Sequence, residues 1–363
     1  MPSPPARYQT LAAQVAARIA DAIRAGTWQE WLPGERTLTA TLQVSRKTLR
    51  KALAHLQHEG VIATAHGLGH RIAAPAAPAA PRPDPTVGLL TPEALEHLRP
   101  YTALWVDELR ALLIERGARL ATFSGHRFFH TRPDKALARL VQQNPQACWI
   151  LAHTNEPIQQ WFADRRVPCV IAGSCHHGLA LPSVDRDNFA TCRHAAGALL
   201  RLGHRRVAFL TPLSQRAGDL ESEAGFIDGV RRSPRAGAEP QLLRHDGTPE
   251  GVNRVLARVF GGAAAPTALL VANPAFYLSA ITFLAQRGLR VPHDVSLVSR
   301  DDDPFLAYVT PAPARYTCHA RTYAKRLLQP VLALLAGERL AQPAQRLAPT
   351  FLPGGSLAAP RAG

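Results

Sequence analysis

Large apolar residues return every four positions at Leu11, Val15, Ile19 and Ile23, and Gly26 ends the run. That spacing predicts a helix over residues 8–25 with one apolar side. A shorter helix is expected at 37–42. A third opens at Ser45, whose hydroxyl can accept a first-turn N–H, and it stops at Gly60. At about 100° per residue, Leu49, Ala52, Leu53 and Leu56 share one side of this helix, while Arg46, Lys47, Arg50 and Lys51 share the other. No acidic residue interrupts the basic side until Glu59. Residues 61–72 then read as two short strands around a glycine-bearing turn. Three helices and a hairpin make a winged helix-turn-helix, in which the basic helix can enter a major groove while the wing tip approaches the DNA backbone.

Residues 73–85 read Ala-Ala-Pro-Ala-Ala-Pro-Ala-Ala-Pro-Arg-Pro-Asp-Pro. Prolines at that density exclude helix and favour an extended, semi-rigid spacer. The expected organisation is therefore a head at 1–73, a linker at 74–85 and a body at 86–363. The body alternates short apolar strands, at 87–91, 119–124, 147–152, 168–172, 206–211, 242–245, 268–272 and 296–299, with amphipathic helices. The helices are expected at 101–116, 133–143, 157–165, 189–202, 221–231, 249–259 and 276–286. Repeated βα units of this length predict an α/β fold with a parallel, doubly wound sheet covered on both faces. Ligands in such sheets sit beyond the carboxyl ends of the strands.

Composition narrows the function classes. A 363-residue chain with 46% hydrophobic residues can bury a large core, and no apolar run approaches the roughly 20 residues that span a bilayer. With no secretory pattern at residues 1–8, a cytoplasmic protein without membrane contact is expected. The net charge of +15 favours a polyanionic partner. Residues 1–85 hold ten Lys/Arg against five Asp/Glu, so most of the excess lies in the body and spacing, not charge, must locate a DNA site. Five cysteines with no Cys-x-x-Cys pair suggest reduced thiols. Cys175-His176-His177 is the one metal-like cluster, but adjacent ligands seldom converge on one ion, so no metal is expected. Neither a nucleophile elbow nor a phosphate-binding loop occurs. Of the four lysines, Lys47, Lys51, Lys135 and Lys325, none stands where a Schiff base to pyridoxal phosphate would need it. No cofactor and no enzymatic activity are expected.

Several segments bring in resemblances. Leu32-Pro33-Gly34-Glu35-Arg36, the run Ser45-Arg46-x-Thr48-x-Arg50-x-Ala52-Leu53, Leu56, Glu59-Gly60 and Gly67-x-Gly69 resemble the GntR-type DNA-binding domain over roughly residues 8–73. The resemblance implies DNA contacts from Arg36, Ser45, Arg46 and Arg50, helped by Thr48 and by His66 and Gly67 at the wing tip. Lys47 and Lys51 join them from the basic side of the third helix. Gly34 stands where the family has serine, which removes a cap from the second helix. In the body, Ser183-Val184-Asp185-Arg186-Asp187-Asn188, Leu202-Gly203-His204-Arg205-Arg206, Gly225-Phe226-x-x-Gly229 and Val291-Pro292-His293-Asp294-Val295-Ser296 resemble the LacI/GalR-type sensor domain over about 86–340. That implies two periplasmic-binding-protein-like lobes joined by three crossovers, with an effector in the cleft. Together the two resemblances imply a sugar-responsive repressor acting as a homodimer on an inverted-repeat operator in double-stranded DNA.

Two positions depart from the sensor pattern. The family clamps sugar hydroxyls with an arginine three residues before the Gly-Phe pair and with an aspartate after an Asn. Ser222 and Pro274 stand there instead. Strand carboxyl ends carry Thr91, His153, Thr154, Ser174, Asp187, Asn273 and Asp301, and of all these candidates His153, Ser222 and Asn273 are taken as the effector contacts. With both charged clamps gone, free hexoses and pentoses are expected to bind poorly. The effector would then be a small molecule held by neutral polar contacts or one of another class. A vestigial cleft on a constitutive DNA-binding protein is the alternative.

Overall fold

The computed structural model describes residues 10–65, 69–73, 84–233, 239–262, 264–338, 340 and 344–361. The chain forms two compact units, Met1–Pro83 and Asp84–Gly363.

In the head, α1 (Leu11–Arg24) and α2 (Glu35–Leu42) pack with α3 (Arg46–His58). Leu49, Ala52, Leu53 and Leu56 of α3 meet Val15, Ile19, Leu38, Ile62 and Ile72 in one buried cluster. The apolar side read from spacing is thus the core side. Leu11 is a correction: as the first residue of α1 it is 59% exposed and takes no part in the buried cluster. Strands β1 (Ile62–Ala65) and β2 (Gly69–Ile72) pair antiparallel from Ile62↔Ile72 to Ala65↔Gly69. The stretch before α2 adds to this hairpin, as Leu32 N–H donates to His70 O and Ile72 N–H to Glu30 O. It does so as a single bridge, Trp31↔Arg71, beside a two-stranded sheet.

The body is built from two six-stranded sheets. In the N-lobe, β3 (Thr86–Thr91), β4 (Arg119–Ser124), β5 (Cys148–Ala152), β6 (Cys169–Ala172) and β7 (Ser183–Arg186) run parallel, with α4 (Pro100–Ile114), α5 (Asp134–Gln143) and α6 (Glu156–Asp164) between them. The chain crosses after β7 into the C-lobe. There α7 (Asn188–Arg201), β8 (Val207–Pro212), α8 (Ala217–Arg231), β9 (Gln241–His245), α9 (Pro249–Phe260), β10 (Ala268–Val271), α10 (Pro274–Gln286), β11 (Ser296–Ser299) and β12 (Ala314–Thr317) repeat the pattern. It crosses back in α11 (Ala320–Leu335) to β13 (Ala344–Leu347), which pairs with β7, and once more to β14 (Thr350–Leu352), which closes the C-lobe sheet antiparallel to β12. These are the three crossovers that the sensor resemblance implied. Strand β7 and the return elements from β12 onward are not among the elements that the sequence pattern predicts.

The inner strands β3, β5, β6, β8, β10 and β11 are covered on both faces and are buried almost throughout, whereas the edge strands β4, β9 and β13 keep exposed positions. Val87, Leu89, Ile150 and Val170 face α4 and α11 on one side of the N-lobe sheet. Leu90, Trp149, Leu151 and Ile171 face α6 on the other. In the C-lobe, Gly225 and Gly229 let α8 lie against α7. A Cβ at Gly225 would sit 2.2 Å from Phe189 O, and one at Gly229 2.6 Å from Arg193 O.

Candidate functional site

The first candidate site is on the head. Ser45 caps α3, its Oγ accepting from Thr48 N–H at 3.2 Å and lying 2.9 Å from Thr48 Oγ1. The cap sets where α3 begins and so the angular position of every basic residue that follows. Arg46, Lys47, Arg50 and Lys51 then border a shallow surface concavity together with Ala54. Arg50 Nε–H is held between the two oxygens of Glu35 at 3.1 and 3.3 Å, which steadies the guanidinium and leaves its terminal nitrogens to donate elsewhere. Arg36, Arg46, Lys47 and Lys51 are in no ion pair among the described residues. Four cations standing out from one small unit with so few carboxylates form a surface for a polyanion. Gly34 gives α2 no side-chain cap, as its identity implied. His66 and Gly67 lie outside the described residues.

The second candidate site is the cleft between the lobes of the body, a cavity of about 400 Å³. Its walls come from strand carboxyl ends, as expected for open α/β sheets. His153 and Thr154 follow β5, Ser174 follows β6, Asn273 follows β10 and Arg300 follows β11, while Tyr101 and Trp105 enter from α4 and Phe276 from α10. His153 takes up a left-handed backbone, φ 56°, a conformation held in place only where surrounding structure enforces it. Burial first, then the guanidiniums of Arg216 and Arg99, push its imidazole down to about 3, so it is neutral at physiological pH. Its Nε2 is 3.4 Å from Thr102 Oγ1. Asn273 lines the cleft and also caps α10, its Oδ1 accepting from Ala275 N–H at 2.9 Å.

Ser222 does not reach the cleft. It is fully buried in α8, where its Oγ donates to Gly218 O and accepts from Arg300 Nη1, both at 2.7 Å. The two clamp positions lack their charges, yet the cleft is strongly charged. Arg99, Arg186, Arg216 and Arg300 all line it, facing Asp185 and Asp219. Asp301 binds three of these arginines at once. Arg99 Nη1 and Arg186 Nη1 donate to it at 2.6 Å from the N-lobe, and Arg300 Nη2 at 3.3 Å. Burial alone would raise the Asp301 carboxyl, but the Arg186, Arg300 and Arg99 guanidiniums hold it well below the usual carboxylate range. Asp303 accepts from Arg99 Nε and from Tyr101 N–H at 3.0 and 2.8 Å. Farther along, Arg346 pairs with Glu221 across the lobes. Arginine abundance hid these residues in the sequence. The usable signals are Asp301, a strand-end candidate in the sequence, and Arg300 before it, a charge ending the apolar strand Ser296-Leu297-Val298-Ser299. Thr91 and Asp187 are absorbed locally, Thr91 Oγ1 donating to Glu93 O and Asp187 capping α7.

The Leu202-Gly203-His204-Arg205-Arg206 motif proves structural: buried His204 bonds Thr267 Oγ1 and Ala358 O, each at 2.9 Å.

Comparison with known proteins agrees with this two-part build. Residues 11–72 match the bacterial regulatory proteins of the gntR family, and residues 196–357 the periplasmic binding protein-like domain. The arabinose metabolism transcriptional repressor of Geobacillus stearothermophilus is 26% identical over 288 residues, which is 76% of this chain and 77% of that protein. Among solved structures, a complex of the transcriptional regulator CelR with cellobiose superposes with a TM-score of 0.66 at 20% identity, covering 96% of this chain and all of that one. A LacI family transcriptional regulator from Enterococcus faecium with bound ribose gives 0.63 at 17% identity, over 76% of this chain and 99% of that one.

Proposed function

This chain is a transcription regulator that carries a GntR-type winged-helix head and a LacI/GalR-type, periplasmic-binding-protein-like sensor, and on that premise we propose that it is a ligand-responsive repressor of carbohydrate-related metabolism. It is a regulator and not an enzyme. The observation that carries the reading is the row of cations on α3, of which Arg46, Lys47 and Lys51 form no ion pair among the described residues, presented by a head whose chain continues into a cleft-bearing body. Arg36, Ser45, Arg46, Lys47, Thr48, Arg50 and Lys51 contact the DNA, helped by His66 and Gly67. The effector sits between the lobes, touching His153 and Asn273 directly, while Ser222 acts by holding Arg300. The resemblance to an arabinose repressor and to regulators bound to cellobiose and ribose supports a carbohydrate-related effector, and a 400 Å³ cavity is of small-molecule size.

The regulator works in the cytoplasm as a homodimer joined through residues 86–363, with 74–85 as linker to heads formed by 1–73. No helix among the described residues is long and apolar enough to cross a membrane. The body exposes Leu104, Leu278 and Tyr308, the last at 90%, apolar side chains that a second copy would cover. Two heads on a symmetric dimer call for an inverted-repeat operator. Footprinting of the full chain on DNA upstream of its own gene, with sedimentation to count protomers, tests this. A protected symmetric site bound by a dimer is expected. A monomer with no preference over bulk DNA overturns it.

A further inference from the structure

The charges of the cleft do not balance in place. Asp219, Asp301 and Asp303 are matched by Arg99, Arg186 and Arg300, through contacts of 2.6 to 3.3 Å. Arg216, on the C-lobe wall, has no carboxylate partner among the described residues. The remaining carboxylate is Asp185. It is buried and already accepts from Ser174 Oγ, Asn188 Nδ2 and Arg186 N–H at 2.8, 2.9 and 2.7 Å, and burial draws it toward its neutral form. The depressed His153 imidazole registers the same surplus, since after burial the largest influences on it are Arg216 and Arg99.

Arg300 adds a second, independent sign. The residue is 8% exposed, and its Nε–H is buried with no partner among the described residues. Its terminal nitrogens are taken up by Ser222, Asp219 and Asp301, so the guanidinium is fixed in place before any ligand arrives. A buried donor left without an acceptor is costly, and the fixed guanidinium lines the cleft, where an anion can face its positive charge. Arg216 is also the residue from which α8 starts. The helix has no side-chain cap, so its first-turn N–H groups add to the positive end of the cleft.

We propose that the effector carries an anionic group, a carboxylate or a phosphate, read on the C-lobe by Arg216 and Arg300. This rests on the cleft being the effector site. Position 222 then has a purpose: a serine there holds the Arg300 guanidinium, whereas an arginine would set two guanidiniums against each other. A charge-assisted bond to an anion favours it over its neutral parent by roughly tenfold or more.

The experiment uses the full chain and matched probes: glucose, arabinose and cellobiose, their aldonic acids, glucose 6-phosphate and arabinose 5-phosphate, and inorganic phosphate against chloride at equal ionic strength. Melting temperature and operator release are read for the natural chain and for Arg216→Gln, an exposed position whose replacement breaks no ion pair among the described residues. At least one acid or phosphate ester is expected to bind tenfold or more above its neutral parent, with inorganic phosphate protecting weakly. Arg216→Gln should bring the anion-to-neutral ratio toward one and remove the phosphate effect. Response to the acids alone assigns a sugar acid, and to the esters alone a sugar phosphate. A neutral sugar binding as well as its anionic forms, an equal loss of both in Arg216→Gln, or no anion response in the natural chain overturns the proposal. Operator footprinting without ligand is scored separately, so its failure would strike the regulator reading instead.

Discussion

Arg50 and Lys51 are neighbours on α3 with different expected work. A guanidinium can pair with the two acceptors on a guanine edge, and Glu35 already orients that of Arg50. Arg50→Ala should therefore cost about 1–3 kcal/mol on the cognate operator and relax its specificity. Lys51→Ala and Lys47→Ala should weaken all DNA alike and lower the salt slope by about one each. Titration of cognate and scrambled duplexes at several salt concentrations measures both. If Lys51→Ala alters sequence preference while Arg50→Ala does not, the two roles are reversed. At this scale the head was legible, because a helix face follows from spacing alone. The cleft was not. The sequence position of Ser222 points to the cleft, but its side chain faces Arg300, 78 positions away, while His153 and Asn273 lie where strand ends place them.

At the scale of elements, caps and glycines decide boundaries that apolar periodicity leaves open. Ser45→Ala removes the acceptor of Thr48 N–H and should destabilise the head by about 1 kcal/mol. Faster amide exchange in the first turn of α3, with no change in the body, is the expected observation. Slowed or unchanged exchange there would mean that packing of Leu49 and Leu53 alone fixes the helix start. Most strands and helices of the body were predicted to within a residue or two. Among the predicted elements α8 departs most, beginning at Ala217 and not near 221, since no side-chain cap marks its start. α11 went unread although it packs Leu327, Leu328 and Val331 against the N-lobe. Pro330 lies inside it, and a proline in the middle of an apolar run argues against helix until the surrounding packing is known. The spacing of Gly225 and Gly229 was noticed as a motif, but its reason, the close approach of α7, appears only in three dimensions.

On the scale of the molecule, Asp301 is where the lobes are tied together. Its side chain is 2% exposed and is paired with two arginines of the N-lobe and one of its own. Removing one partner of a buried network leaves the others uncompensated, so Asp301→Asn should cost about 3–5 kcal/mol in urea unfolding. The folded-state carboxyl is depressed relative to the unfolded chain. Its stabilisation is therefore present at neutral pH and is lost as pH falls below roughly 4. The variant should show a flatter acid limb than the natural chain, and parallel acid limbs would show that Asp301 does not carry the linkage. Helix faces, the head, the proline spacer, the βα alternation and the two family resemblances were all determined by the sequence, because each depends on residues near one another in the chain. The arginine–aspartate network, the retreat of Ser222 from the cleft and the lack of an ion pair for Arg216 among the described residues were decided by tertiary structure alone. They join residues 99, 186, 216, 222 and 300–303, and the partners of a charge are set by which strand ends meet across the lobes, which no local pattern records.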